Sequence, residues 1–134
     1  MSADRREVPL LRLSEDEFEE LVVAALDTLP EDLLELMDNI EVTVERAPSR
    51  QQMRRVGLRS DTLLGFYEGI PLTARNSSSY SLVVPDKITI FQRPIEGICS
   101  THDEVVAQVR KTVIHEVAHH FGIGEERLRE LGWG

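Results

Sequence analysis

The residues best suited to chemistry are concentrated in one stretch near the C-terminus. Three of the four histidines lie between positions 115 and 120, and Glu116 directly follows the first of them. His115 and His119 are four residues apart, so on a helix their imidazoles would project from one face, one turn apart. Neutral imidazoles at this spacing suit a tetrahedral zinc ion. The spacing therefore predicts a metal site on a helix.

Glu116 is placed to act on a water molecule at that metal. It lies about 100° round the helix from His115, beside the predicted metal position and not on it. A carboxylate there can accept a proton from a zinc-bound water, whose pKa the metal lowers towards neutrality. The HExxH sequence from residue 115 to 119 therefore predicts zinc-dependent hydrolysis with Glu116 as the general base.

The residues after His119 indicate the source of a third ligand. Gly122 is a typical helix-terminating residue, and Glu125 follows three residues later, where the chain has turned and can return a carboxylate to the metal. A catalytic zinc takes three protein ligands and keeps a fourth position open. The spacing from Gly122 favours Glu125 over its neighbour Glu126, which stays a competing candidate.

The other candidate residues are interpreted first as structural. His120 lies about 140° round the helix from His115, away from the metal face, and His102 lies at the helix N-terminus. Cys99 is the only cysteine, and with no basic residue adjacent in sequence it is expected to be buried or inert. Hydrolysis also needs a hydrogen-bond donor for the developing oxyanion. The sequence offers four candidates without choosing among them: Tyr67, Tyr80, Arg75 and Arg93.

The helices that must position these residues are predicted from caps and periodicity. The long histidine helix is expected from near Thr101, which can form a capping box with Glu104, to near Gly122. Its core-facing side, opposite the two histidines, comprises Val106, Val109, Val113, Ile114, Val117 and Phe121. A short helix is expected from about 125 to 131.

Two helices are predicted before the strands. Ser14 and Glu17 form a capping box for a helix from about 15 to 28. Pro30 suits the first turn of a second helix. The expected buried side of that helix consists of Leu33, Leu34, Leu36 and Met37.

Alternating and β-branched residues predict the strands. They are expected at 40–45, 63–68 and 87–91, with a possible further strand at 80–84. Residues 47–60 have no periodicity, and their arginines are expected to lie in a solvated loop. The order of elements favours an α+β fold in which helices pack on one small mixed sheet, as a single domain over residues 1–134.

Composition limits the class of protein. The chain has 24 acidic and 15 basic residues, a net charge of −9, which argues against binding to nucleic acid or to anionic membranes. One cysteine allows no internal disulfide. The charged N-terminus has no apolar core typical of a signal peptide, and no apolar run is long enough to cross a membrane. We therefore expect a soluble, cytoplasmic protein.

Several segments resemble the small bacterial zincin-like metallopeptidases, sometimes called minimal zincins. They are TVIHEVAHHFGIGEERLRELGW together with the preceding LLGFYEGIPLTAR and PDKITIFQRPIE. The motif also resembles that of the metzincins, in which the third ligand follows the glycine by three residues. The resemblance implies a minimal zincin fold and a zinc endopeptidase acting on peptides or proteins, with ligands His115, His119 and Glu125 and general base Glu116. It also implies that an edge strand, residues 87–92, pairs with extended substrate.

A function from another class also fits this pattern. The chain could be a zinc-binding interaction module with little proteolytic activity, because few residues follow Glu125 to form the lower wall of a cleft. An open fourth metal position beside a groove would favour the peptidase, whereas a fourth protein ligand would favour the module.

Overall fold

The computed structural model describes residues 11–56, 63–69 and 85–133. Helices and a small mixed sheet form an α+β fold, as the sequence predicts. In chain order the elements are α1 (Glu15–Leu26), α2 (Glu31–Leu36), β1 (Ile40–Glu45), α3 (Arg50–Val56), β2 (Gly65–Glu68), β3 (Asp86–Phe91), α4 (Gln92–Glu96), α5 (His102–His120) and α6 (Glu125–Leu131).

The sheet has the strand order β1-β3-β2. β1 and β3 are parallel with Ile40 opposite Asp86, and β2 and β3 are antiparallel with Gly65 opposite Ile90. β3 is thus the central strand, so the expectation that residues 87–92 form an edge strand is wrong. Among the described residues, the edge that faces α5 belongs to β2. Alternation alone cannot distinguish these positions, because the order of strands depends on pairing between distant segments.

α1 begins where its capping box predicts. Ser14 Oγ accepts a hydrogen bond from the Glu17 amide, and the Glu17 carboxylate accepts one from the Ser14 amide. The buried face of α1, with Phe18 fully buried, packs against α5. α2 follows a Pro30 cap. Only part of its predicted apolar side is buried: Leu33 and Met37 are buried, but Leu34 and Leu36 are exposed.

α5 carries the central stripe of the core. Val105, Val109, Val113 and Val117 are fully buried against the sheet and α1. Phe121 is 45% exposed, contrary to the prediction, because α5 ends at His120 and Phe121 lies in the cap, beyond the last helical residue. None of the helices in the described ranges is both long enough and apolar enough to traverse a bilayer.

The end of α5 turns the chain back on itself. Gly122 has a φ of +72°, a left-handed conformation that favours glycine. The Gly122 amide donates to the His119 carbonyl and the Ile123 amide to the Ala118 carbonyl, which together form a Schellman motif. Ile123 packs against the core, so Gly124 can cap α6, which begins at Glu125.

Two short helices were not predicted. α3 lies inside the segment expected to be a solvated loop, and its start is a capping box: the Gln52 amide donates to Ser49 Oγ and the Ser49 amide to Gln52 Oε1. Its Met53 packs on the cluster of Leu63, Phe66 and Phe91. α4 directly follows β3. The possible strand at 80–84 lies outside the described residues.

Candidate metal centre

The three predicted metal ligands lie around one cavity. His115 and His119 project from α5 one turn apart, and both side chains are exposed. The turn at Gly122 brings Glu125 to the same place, and the cavity of about 200 Å³ is lined by these three residues with Ala118, Ile123, Gly124 and Leu128. Glu125 Oε2 lies 3.8 Å from His115 Nδ1.

The donors are of the types that zinc prefers. Two imidazoles and one carboxylate form the three-ligand set of many catalytic zinc sites, and neighbouring donors of a tetrahedral zinc are about 3.3 Å apart. Across the described ranges, no three His, Cys, Asp or Glu side chains converge on one point. The side chains of His115 and Glu125 are 55% and 69% exposed, so both can rotate to close around an ion. The chemistry of the donor set therefore fits a zinc ion.

Glu126 is placed differently from Glu125. It also lies in the first turn of α6, but it is exposed and does not line the cavity with His115 and His119. Of the two glutamates, Glu125 is therefore the one that lies at the cavity with His115 and His119.

The candidate base, Glu116, is half-buried beside the two histidines. Burial raises the pKa of its carboxyl above the ordinary value. The charges of His115 and His119, and a hydrogen bond from the Tyr67 backbone amide, act against this rise. A base whose pKa is raised towards neutrality is suited to proton transfer near pH 7.

The register in which β2 pairs with β3 determines which backbone groups of β2 face Glu116. The Phe91 amide donates to the Leu64 carbonyl, so in the antiparallel ladder the backbone groups of Gly65 and Tyr67 point away from β3. The cleft between this edge and α5 passes on both sides of Glu116. One part, about 390 Å³, is lined by Leu63, Leu64, Gly65, Gln108, Lys111, Thr112 and His115, and the other, about 400 Å³, by Leu63, Gly65, Phe66, Tyr67, Gly69, His119 and His120.

Tyr67 and His120, which line the second part of this cleft, form a polar cluster with Asp86. The Tyr67 hydroxyl donates a 2.7 Å hydrogen bond to Asp86 Oδ2. The His120 ring stacks on the Tyr67 ring at a centroid distance of 4.0 Å, and its Nε2 lies 3.7 Å from the same Asp86 oxygen. His120 therefore packs against β2, in agreement with its interpretation as a structural residue.

The other candidates have different surroundings. Arg93 does not line the cleft. Its NH1 lies 3.1 Å from Glu96 Oε1, and Glu96 Oε2 accepts a hydrogen bond from the Leu13 amide in the N-terminal segment. Cys99 is buried. Burial raises the pKa of its thiol, and the negative charge of Glu104 raises it further by a smaller amount. His102 is exposed at the start of α5. Tyr80 and Arg75 lie outside the described residues.

Sequence reasoning missed two contributors to the site. The Tyr67 amide is a backbone group, so no residue type could indicate it. Gly65 leaves the space in which β2 and α5 come together, and a glycine inside a predicted strand is the signal that could have identified it. Thr112, about 60° round α5 from His115, is buried, and its hydroxyl accepts from Gln108 Nε2 at 3.1 Å.

Comparison with protein families gives one match. Residues 37–133, more than half of the chain, match the model of a family described as zincin-like metallopeptidase. The matched region runs from before β1 to beyond α6 and contains every candidate site residue. No curated protein gives a significant match.

Proposed function

Because the chain belongs to the zincin-like metallopeptidase family, we propose that it is a zinc-dependent endopeptidase with His115, His119 and Glu125 as metal ligands and Glu116 as general base. The observation that carries the proposal is the position of Glu116. Its half-buried carboxylate lies beside the two exposed histidines and along a cleft that passes it on both sides.

The metal and the residues around it would have separate roles in hydrolysis. Zinc, when bound, supplies polarisation of the scissile carbonyl and lowers the pKa of a coordinated water. Glu116 accepts the proton of the attacking water and passes it to the leaving amine. The hydrogen bond from the Tyr67 amide would restrain the Glu116 carboxylate. The raised pKa of Glu116 favours both halves of the transfer near neutral pH.

The shape of the cleft supports an endopeptidase. The backbone groups of Gly65 point away from β3 towards the cleft, where an extended peptide can pair with β2. The cleft is lined on both sides of Glu116. The interior of a polypeptide can lie along such a cleft.

The alternative, a zinc-binding interaction module, would be favoured by a fourth protein ligand. The cavity shared by His115, His119 and Glu125 has no further His, Cys, Asp or Glu among the described residues that line it. His120, the nearest additional imidazole in sequence, stacks on Tyr67. The lining supports the peptidase.

The proposal is tested by digesting a broad peptide library with the zinc-loaded protein and with Glu116→Gln. The wild type should cleave internal bonds, and the variant should lose cleavage while keeping its zinc, because an amide cannot accept the water proton. Glu126→Gln, which neutralises an exposed glutamate outside the cavity, is the matched control and should cleave like the wild type. Equal cleavage by Glu116→Gln and wild type, or none by either, would contradict the proposal.

A further inference from the structure

β2 and α5 come unusually close at Gly65 and Thr112. A Cβ atom at Gly65 would lie 2.6 Å from Thr112 Cγ2, well inside van der Waals contact. Gly65 is in an extended strand and its φ is not left-handed, so its backbone would accept alanine. Only the space between the strand and the helix requires glycine here.

The surroundings leave Thr112 little room to move. It is 7% exposed, and its hydroxyl accepts a hydrogen bond from Gln108, so another rotamer would break that bond or turn the hydroxyl towards the strand. The same added Cβ would already lie 3.4 Å from the Thr89 carbonyl oxygen and 3.6 Å from Ile90 Cδ1. An added methyl group must therefore separate β2 from α5.

The two elements meet at matched intervals along their lengths. Gly65 faces Thr112, the Tyr67 amide meets Glu116, and a Cβ at Gly69 would lie 3.6 Å from His120. Each step is two residues on the strand, about 6.7 Å, and four on the helix, about 6 Å. A displacement at Gly65 and Thr112 therefore reaches the next contact, where Tyr67 holds Glu116.

We infer that Gly65 and Thr112 are positioning residues: the absence of a side chain at Gly65 sets the separation of β2 from α5 and so keeps the Tyr67 amide on the Glu116 carboxylate. The inference rests on the proposed role of Glu116 as general base. Loss of this contact leaves the carboxylate free to rotate away from the attacking water, which lowers kcat more than it raises KM.

The test uses Gly65→Ala and the double variant Gly65→Ala/Thr112→Ser, in the zinc-loaded full chain. Serine lacks the Cγ2 that clashes but keeps the hydroxyl that Gln108 contacts. Gly65→Ala should lower kcat by about 10- to 100-fold with a smaller change in KM, and the double variant should recover most of that loss. Gly97→Ala is the matched control, since its Cβ would meet only carbonyl oxygens at 3.5 Å, far from the cleft.

The Tyr67 amide gives a readout that does not depend on activity. Its ¹H–¹⁵N resonance should move in Gly65→Ala towards its position in Glu116→Ala, and return in the double variant. An unmoved resonance together with an unchanged kcat in Gly65→Ala would overturn the inference. A folded double variant that recovers neither the wild-type resonance nor the wild-type kcat would also overturn it. If Gly65→Ala does not fold, the double variant tests the inference in its place. A Tyr67 amide resonance at the wild-type position supports the inference, and its absence from that position overturns it. Absence of cleavage by the wild type would refute the proposed function, and the resonance would still decide the positioning.

Discussion

His115 Nδ1 lies 3.8 Å from Glu125 Oε2, across the turn that ends α5. The left-handed Gly122 and the packing of Ile123 on the core hold α6 in this position. A carboxylate ten residues along the chain from His115 is thereby brought beside it. This relationship gives the most direct prediction about the metal.

The protein should bind about one zinc per chain through its three candidate ligands. Alanine at His115, His119 or Glu125 should each weaken zinc binding by more than the roughly 10- to 100-fold lost when a ligand's hydrogen-bond partner is removed. Glu126→Ala should leave the affinity nearly unchanged. Titration with a zinc-competing chelator measures all four variants, and a reversed result for the two glutamates would identify Glu126 as the ligand.

Glu116→Gln should stabilise the metal-free protein at neutral pH. The pKa of Glu116 is raised in the folded state, so folding favours its protonated form, and that contribution is lost as the pH rises through the folded-state pKa. Glutamine mimics the protonated form, and the melting temperature should rise by about 1–5 °C at pH 7. The difference should vanish below about pH 4, where both states are protonated. A variant less stable than wild type at pH 7 would show that burial is not the dominant influence on Glu116.

Cys99 should react slowly with thiol reagents in the folded protein. Burial raises the pKa of its thiol, with a smaller contribution from Glu104, so little thiolate is present at pH 8 and the sulfur is covered. A disulfide reagent should label it completely in denaturant and at least about tenfold more slowly without it. Equal rates in the two conditions would place Cys99 at the surface.

Phe18→Ala should destabilise the protein by about 3–5 kcal/mol. Its ring is fully buried where α1 packs against α5, and its removal leaves a cavity behind the histidine helix. Val23→Ala, on the exposed side of the same helix at 57% exposure, should change stability by less than about 0.5 kcal/mol. Chemical denaturation of the metal-free chain measures both, and similar losses would contradict the assignment of the buried face.

Local signals predicted most of the elements and the fold class. Ser14, Thr101 and Gly122 mark helix boundaries by hydrogen bonds or backbone angles that involve residues within one turn. Such features depend on residue type alone. The local signal of α3, the Ser49–Gln52 capping box, was overlooked because a cluster of arginines in the same segment indicated a solvated loop.

Features that depend on distant pairing could not be predicted in the same way. That β3 is central, and β2 the edge facing α5, follows from pairing between segments that are distant in the sequence. The Tyr67 amide on Glu116 depends on that edge and on the space at Gly65. The spacing of the candidate ligands was therefore accessible from sequence, whereas the immediate surroundings of Glu116 were not.

The compactness of the ligand set along the chain has a thermodynamic consequence. His115, His119 and Glu125 fall within one short segment joined by a single turn, so the unfolded chain can bring them together at little loop-closure cost. Metal bound to the unfolded state subtracts from the stabilisation that metal gives the native state. Saturating zinc should therefore raise the free energy of unfolding by less than its native affinity implies. The contact between Tyr67 and Glu116, which spans nearly fifty residues, should in contrast exist only in the folded chain.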